Sequence, residues 1–113
     1  MKVNIGRIQG LSRAQKILLS LFKLSGGEQK QIRYEDIVVE VFSNFPSDFQ
    51  LRGYPQYPDT GDIIHKPLYS ALKKAGYVLS GNKYFWLTAK GVEYGKQLLD
   101  KGGQSDSKKV QAK

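Results

Sequence analysis

The stretch LYSALKKAGYVLSGNKYFWLTAKG, residues 68–91, decides the fold. It opens inside a helix: Ile64, Leu68, Leu72 and Ala75 fall at spacings of 4, 4 and 3 and make one apolar stripe. Gly76 stops that helix, because glycine takes the left-handed C-terminal conformation without a Cβ penalty. Two aliphatic and aromatic runs follow, YVL (77–79) and YFWL (84–87), around Ser80-Gly81-Asn82-Lys83. Such runs around a four-residue Gly/Asn turn predict a β-hairpin. Strand alternation separates Tyr84 and Trp86 from Phe85 and Leu87. Leu87 leads into the next element, so Phe85 and Leu87 are assigned to the core. Thr88 then caps a last helix over 89–100, with Val92, Leu98 and Leu99 apolar. Gly91 and Gly95 each weaken that helix by about 1 kcal/mol relative to Ala, unless their spacing serves close backbone packing.

Upstream, the third helix is predicted over 62–75 with Asp62 as N-cap. Pro67 removes one helical bond, so either the first turn is irregular or the regular helix begins near Lys66. Residues 46–61, PSDFQLRGYPQYPDTG, are predicted as a loop, since three prolines and two glycines oppose a regular element. Its aromatic residues make it too apolar for a floppy linker, so an ordered loop packed by its own rings is expected. Loops of this length in a compact domain are uncommon and often functional. Residues 34–45 form the second helix, with Ile37, Val38, Val41 and Phe42 at helical spacing. Glu35 and Asp36 sit near its start, where the dipole favours carboxylates. Gln31-Ile32-Arg33 is long enough only for a short strand. Residues 12–25 form the first helix, capped by Ser12 and ended by Gly26-Gly27, with Ala14, Ile17, Leu18, Leu21, Phe22 and Leu24 on its apolar face. The class is α+β, mainly α.

The chain has 113 residues, enough for one domain. Residues 1–11 read as an N-terminal arm, 12–100 as the domain and 101–113 as a disordered basic tail. Cysteine is absent and histidine occurs once. That removes disulfide scaffolds, thiolate zinc sites, cysteine nucleophiles and multi-histidine metal sites. No Gly-Lys-Ser/Thr phosphate loop occurs, and no second base stands near a candidate serine. An enzyme is therefore not expected, nor a cofactor. No apolar run approaches the ~20 residues of a membrane span, and the N-terminus lacks a signal-like apolar region. A cytoplasmic protein without a membrane partner is the expectation.

Charge is distributed in blocks. The whole carries 18 Lys and Arg against 10 Asp and Glu, hence +8. Residues 1–33 hold seven bases and one acid, net +6; residues 34–62 hold one base and six acids, net −5; residues 63–113 hold ten bases and three acids, net +7. The tail 101–113 supplies 4 − 1 = +3 of the total. Blocks of opposite sign predict one face that attracts a polyanion and another that does not.

The segment LYSALKKAGYVLSGNKYFWLTAKG resembles the winged helix-turn-helix family, through its basic glycine-terminated KKAGYV turn, its hairpin and Leu87-Thr88-Ala89-Lys90-Gly91 at the next helix. The resemblance spans 12–100 and is specific over 62–91. It implies a winged helix: a three-helix core, a small β-hairpin wing and a C-terminal helix. It also implies duplex DNA binding by the third helix (62–75) and the wing (79–84), in a transcriptional regulator or another DNA-associated module. The chain departs from the family in placing 46–61 where a turn of three or four residues is usual.

Physical chemistry points to the same residues. His65, Lys66, Tyr69, Ser70 and Lys73 form one helical stripe away from the apolar one. Lys66, Lys73 and Lys74 can neutralise phosphates, while Tyr69 and Ser70 can donate to phosphate or base edges. Asn82 and Lys83 at the hairpin tip can reach an adjacent backbone or the minor groove. No arginine lies on this face, so the bidentate Arg–guanine contact is missing unless Arg52 supplies it from the loop. Three lysines on a helix face also fit a merely solvated surface. A second function is a protein-interaction module using 46–61 and the region of Trp86, and a third is single-strand binding on Tyr84 and Trp86. A homodimer is left open.

Overall fold

The computed structural model describes residues 5–103, the side chains of Arg7, Asp62, Ile63 and 101–103 excepted. The expected disordered tail falls, beyond residue 103, outside the described residues.

Helix α1 (Arg13–Ser25) starts where Ser12 predicted it. Ser12 Oγ accepts from the Gln15 N–H and the Gln15 side chain accepts from the Ser12 N–H, a reciprocal capping box. Gly26, at φ +67°, closes the helix. Residues 17–21 are buried without a break, Leu19 included, although Leu19 lies off the predicted apolar stripe. The cause is position: α1 packs against elements on several sides, and a helix so surrounded is apolar all round at its centre. Strand β1 (Ile32–Arg33) runs directly into α2 (Tyr34–Asn44), whose Ile37 and Val41 are fully buried.

Residues 46–61 are not an irregular loop. Pro46 opens a short helix α3 (Pro46–Phe49), where its missing N–H is one that no helical bond uses. Strands β2 (Gln50–Leu51) and β3 (Tyr54–Pro58) then make a second hairpin turning at Arg52-Gly53, with Gly53 at φ +84°. Its pairs are Gln50 with Pro58 and Leu51 with Tyr54, with a bulge between them. Prolines are tolerated because β3 is an edge strand. Nor do its own aromatics pack it: Phe49 is buried, while Tyr54 and Tyr57 are 56% and 55% exposed.

The third long helix covers residues 60–74, starting two residues before Asp62, so Asp62 is not its N-cap. Thr60–His65 and Leu68–Leu72 have wide i→i+5 turns, the Lys66 N–H reaching the Gly61 carbonyl and the Lys73 N–H the Leu68 carbonyl. We call it the wide helix. Pro67 joins its two stretches; a proline ring clashes with the carbonyl four residues back in a tight helix, and wider turns relieve that clash. Gly76 (φ +85°) ends the segment, with the Tyr77 N–H donating to the Leu72 carbonyl at 3.0 Å.

Strands β4 (Val78–Gly81) and β5 (Tyr84–Leu87) form the expected hairpin with a tighter turn than expected. Ser80 and Gly81 belong to β4, and the loop is only Asn82-Lys83, at φ 43° and 72°. Two successive positive φ values match the twist of the strands they join. β1 adds on the other edge, giving the antiparallel order β1-β5-β4 with Ile32 opposite Phe85. Phe85 and Leu87 face the core as predicted.

Helix α4 (Ala89–Gly103) outruns the expected 89–100. Its start is a clasp. Thr88 Oγ1 accepts from the Gly91 N–H at 3.0 Å and donates to the Gly76 carbonyl at 2.6 Å; Lys90 Nζ covers the Ala75 carbonyl at 2.8 Å. A Cβ on Gly91 would lie 2.1 Å from the Tyr77 carbonyl oxygen, and one on Gly95 would lie 2.4 Å from the Phe22 ring. Both glycines are therefore sites of close approach. Among the described residues no helix is long and apolar enough to cross a membrane.

Candidate nucleic-acid interface

The wide helix presents columns spaced by four residues. Ile64, Leu68 and Leu72 are buried. His65, Tyr69 and Lys73 form the next column, and Lys66, Ser70 and Lys74 the one after; all six are exposed. The predicted helix residues therefore do share one side of the helix.

The two columns differ in freedom. The His65 ring lies between Tyr34, 5.6 Å away edge-on, and Tyr69, 4.5 Å away. Tyr69 in turn meets Phe85 at 5.4 Å, and Lys73 Nζ stands 5.1 Å over the Tyr69 ring. These side chains lean on α2 and the sheet, which fixes the helix against the β4–β5 hairpin. Lys66, Ser70 and Lys74 are exposed and make no ring contact or ion pair among the described residues. Lys66, Lys73, Lys74 and Lys83 have no carboxylate partner among the described residues.

Three of the amino-terminal bases behave differently. Lys16 pairs with Asp48, Lys23 with Glu40 at 3.1 Å, and Arg33 with Asp36 at 3.2 Å through two hydrogen bonds. Each joins the first basic block to the acidic one. Such surface pairs add little stability, about 0–1 kcal/mol each, but they neutralise charge that the sequence leaves available. The Arg33 guanidinium holds the Asp36 carboxyl below the usual carboxylate range, first through its hydrogen bond and then through its charge. Those three bases are thereby neutralised, while Lys66, Lys73, Lys74 and Lys83 are not.

Tyr34 is the residue that sequence reasoning missed. Its backbone N–H donates to the Lys83 carbonyl at 3.0 Å, and its hydroxyl donates to the Thr60 carbonyl at 2.7 Å. One residue thus ties the β4–β5 tip to the start of the wide helix. Burial, reinforced by the Asp59 carboxylate, pushes its phenol above the ordinary tyrosine value. The available signal was an aromatic residue at a strand-to-helix junction, three residues before Ile37 and so at the head of the apolar stripe of α2. Asn82 and Lys83 occupy the tip as predicted. Arg52 does not join them: it sits exposed at the tip of the other hairpin.

Among the described residues no group of three or more His, Cys, Asp or Glu is placed to hold a metal ion. No family model, curated protein or solved structure matches the chain.

Proposed function

We propose that the chain is a winged-helix domain that binds duplex DNA, as a regulator or another DNA-associated module. The carrying observation is that Lys66, Lys73 and Lys74 on one side of the wide helix, and Lys83 at the hairpin tip that Tyr34 ties to that helix, all lack a carboxylate partner among the described residues. The element order supports the scaffold: α1, β1, α2, the wide helix, the β4–β5 hairpin and α4, with α3 and the β2–β3 hairpin inserted between α2 and the wide helix and β1 completing a three-stranded sheet. Lysine is a point charge without the arginine fork, so this face suits phosphates rather than base edges. The reading is therefore one of sequence-tolerant binding.

Four neutralised phosphates give a log–log slope of affinity against salt of roughly −4. Lys73→Glu and Lys83→Glu each weaken binding roughly tenfold and flatten that slope, since a phosphate contact is lost whatever the sequence. Fluorescence anisotropy across salt, with melting curves to show the variants folded, measures both. Absence of duplex binding at about 50 mM salt across mixed sequences sinks the proposal.

One observation favours a second reading, a protein-interaction module. The outer face of the β1-β5-β4 sheet carries Leu79 (46% exposed), Tyr84 (39%) and the half-buried Trp86. Amide-shift mapping separates the two: duplex DNA moves residues 65–74 and 82–83 under the first reading and leaves them unmoved under the second.

A further inference from the structure

The β2–β3 hairpin has no part in the lysine face, yet it is built to stand out. Every residue from Gln50 to Tyr57 is exposed. No atom lies within 4 Å of where a Gly53 Cβ would be. Its root is firm: Phe49 is fully buried with its ring 6.4 Å from that of Phe45, and the Asp59 N–H donates to the Phe49 carbonyl at 2.8 Å. The tip carries Arg52, which has no carboxylate partner among the described residues, and residues 50–58 contain neither Asp nor Glu. A protruding ribbon with one free cation and three exposed apolar or aromatic side chains, Leu51, Tyr54 and Tyr57, is thus held on a fixed base.

Its root adjoins the lysine-bearing helix. Asp59 leaves β3 and the next residue, Thr60, begins the wide helix. The Thr60 carbonyl is the one that Tyr34 holds, and Tyr34 also holds the Lys83 carbonyl at the other hairpin's tip. The exit of one hairpin and the tip of the other are therefore one residue apart, at the start of the lysine-bearing helix.

We propose that the β2–β3 hairpin is a second duplex-DNA contact. Arg52 takes a phosphate or enters the minor groove beside the segment that the lysines hold, and Tyr54 and Tyr57 lie along the sugar–phosphate backbone. Charge complementarity at the tip selects the occupant: the acids of the 34–62 block lie outside residues 50–58, with Asp48 paired to Lys16 and Asp59 at the root, so the arginine-tipped end suits a polyanion, and arginine is the side chain that the negative potential of a narrow minor groove attracts. The inference rests on the DNA reading above and extends its footprint to a second hairpin.

The test uses the full chain, a mixed-sequence duplex longer than the footprint, and four proteins: wild type, Arg52→Ala, the Tyr54→Ser/Tyr57→Ser double variant and Lys73→Glu. Arg52→Ala is expected to weaken binding roughly tenfold and to reduce the salt slope by about 1. Hydroxyl-radical footprints of both hairpin variants are expected to lose protection at one outer edge, with melting temperature unchanged for Arg52→Ala. Hairpin variants that keep wild-type affinity, slope and footprint while Lys73→Glu weakens binding overturn this inference and leave the DNA reading standing. A protein ligand lost by the hairpin variants with DNA binding intact overturns it equally. A wild-type chain that binds no duplex removes the DNA reading and this inference with it.

Discussion

The molecule carries two hairpins of similar length and opposite construction. In β4–β5, four consecutive cross-strand pairs run without a bulge, β1 adds a third strand, and Phe85 and Leu87 are sunk in the core. In β2–β3, two pairs flank a bulge, no third strand joins, and exposure is continuous to Tyr57. Two-stranded hairpins are marginal alone, and three strands with a buried face are not. The first hairpin is therefore part of the core with a tip that reaches out. The second is an appendage held at its root, where Phe49 and the Asp59 bond do the holding. Stability and exposure are divided between them: one tolerates little change along its length, the other tolerates much except at its base.

The largest expected effect tests that division directly. Phe85 is 2% exposed and meets the Tyr34 and Tyr69 rings, so Phe85→Ala is expected to cost about 3–5 kcal/mol. Tyr57→Ala on the other hairpin is expected to stay within about 0.5 kcal/mol, as exposed substitutions do. Urea denaturation of both variants measures the contrast, and equal costs would break it.

Glycines give the next contrast. Gly91→Ala places a methyl group 2.1 Å from the Tyr77 carbonyl oxygen at the root of β4–β5. Backbone on both sides must move, so a loss of about 3 kcal/mol is expected, near the upper end for overpacking. Gly53→Ala at the other tip meets open space and incurs only the left-handed penalty of its φ of +84°, about 1 kcal/mol. Calorimetric melting points then fall by roughly 10–20 °C for the first and about 5 °C for the second. A Gly91→Ala protein that melts like wild type would mean that α4 does not clasp the Tyr77 turn.

The same contrast explains what the sequence could disclose. The Ser12 box, the Gly26 and Gly76 stops, the Thr88 cap and the inward Phe85/Leu87 pair are all set by neighbours within a few residues, and all were legible. The β2–β3 hairpin was not, because its bulge destroys alternation and its prolines read as breakers when they are merely edge residues. An Arg-Gly pair between Leu51 and Tyr54 was the usable turn signal. Charge was legible in amount and block but not in availability. Lys16 and Asp48 are 32 positions apart, and the packing of α1 on α2, with α3 following at the end of α2, brings them together. The lysines at 66, 73, 74 and 83 were found as residue types with the right spacing; the part played by Tyr34 depends on a contact 26 residues away.

The smallest expected effect concerns the link between the hairpins. Tyr34 joins Lys83 by its backbone and Thr60 by its hydroxyl, so only the second tie depends on the side chain's proton. Burial raises the phenol's pKa, which means the folded state favours the neutral form. That contribution is fully present below the ordinary tyrosine value, near 10, and is lost as pH rises through the higher folded value. Ultraviolet titration is expected to show a late tyrosine step, above the ordinary tyrosine value. Tyr34→Phe removes that late step and costs about 1 kcal/mol at neutral pH, the net worth of one hydrogen bond. Above pH ~10 the difference between wild type and Tyr34→Phe is expected to shrink, because only the wild type loses stability there. A constant difference from neutral to alkaline pH would show that the hydroxyl does not hold the start of the wide helix. Tyr34 would then hold only the β4–β5 tip, through its backbone N–H.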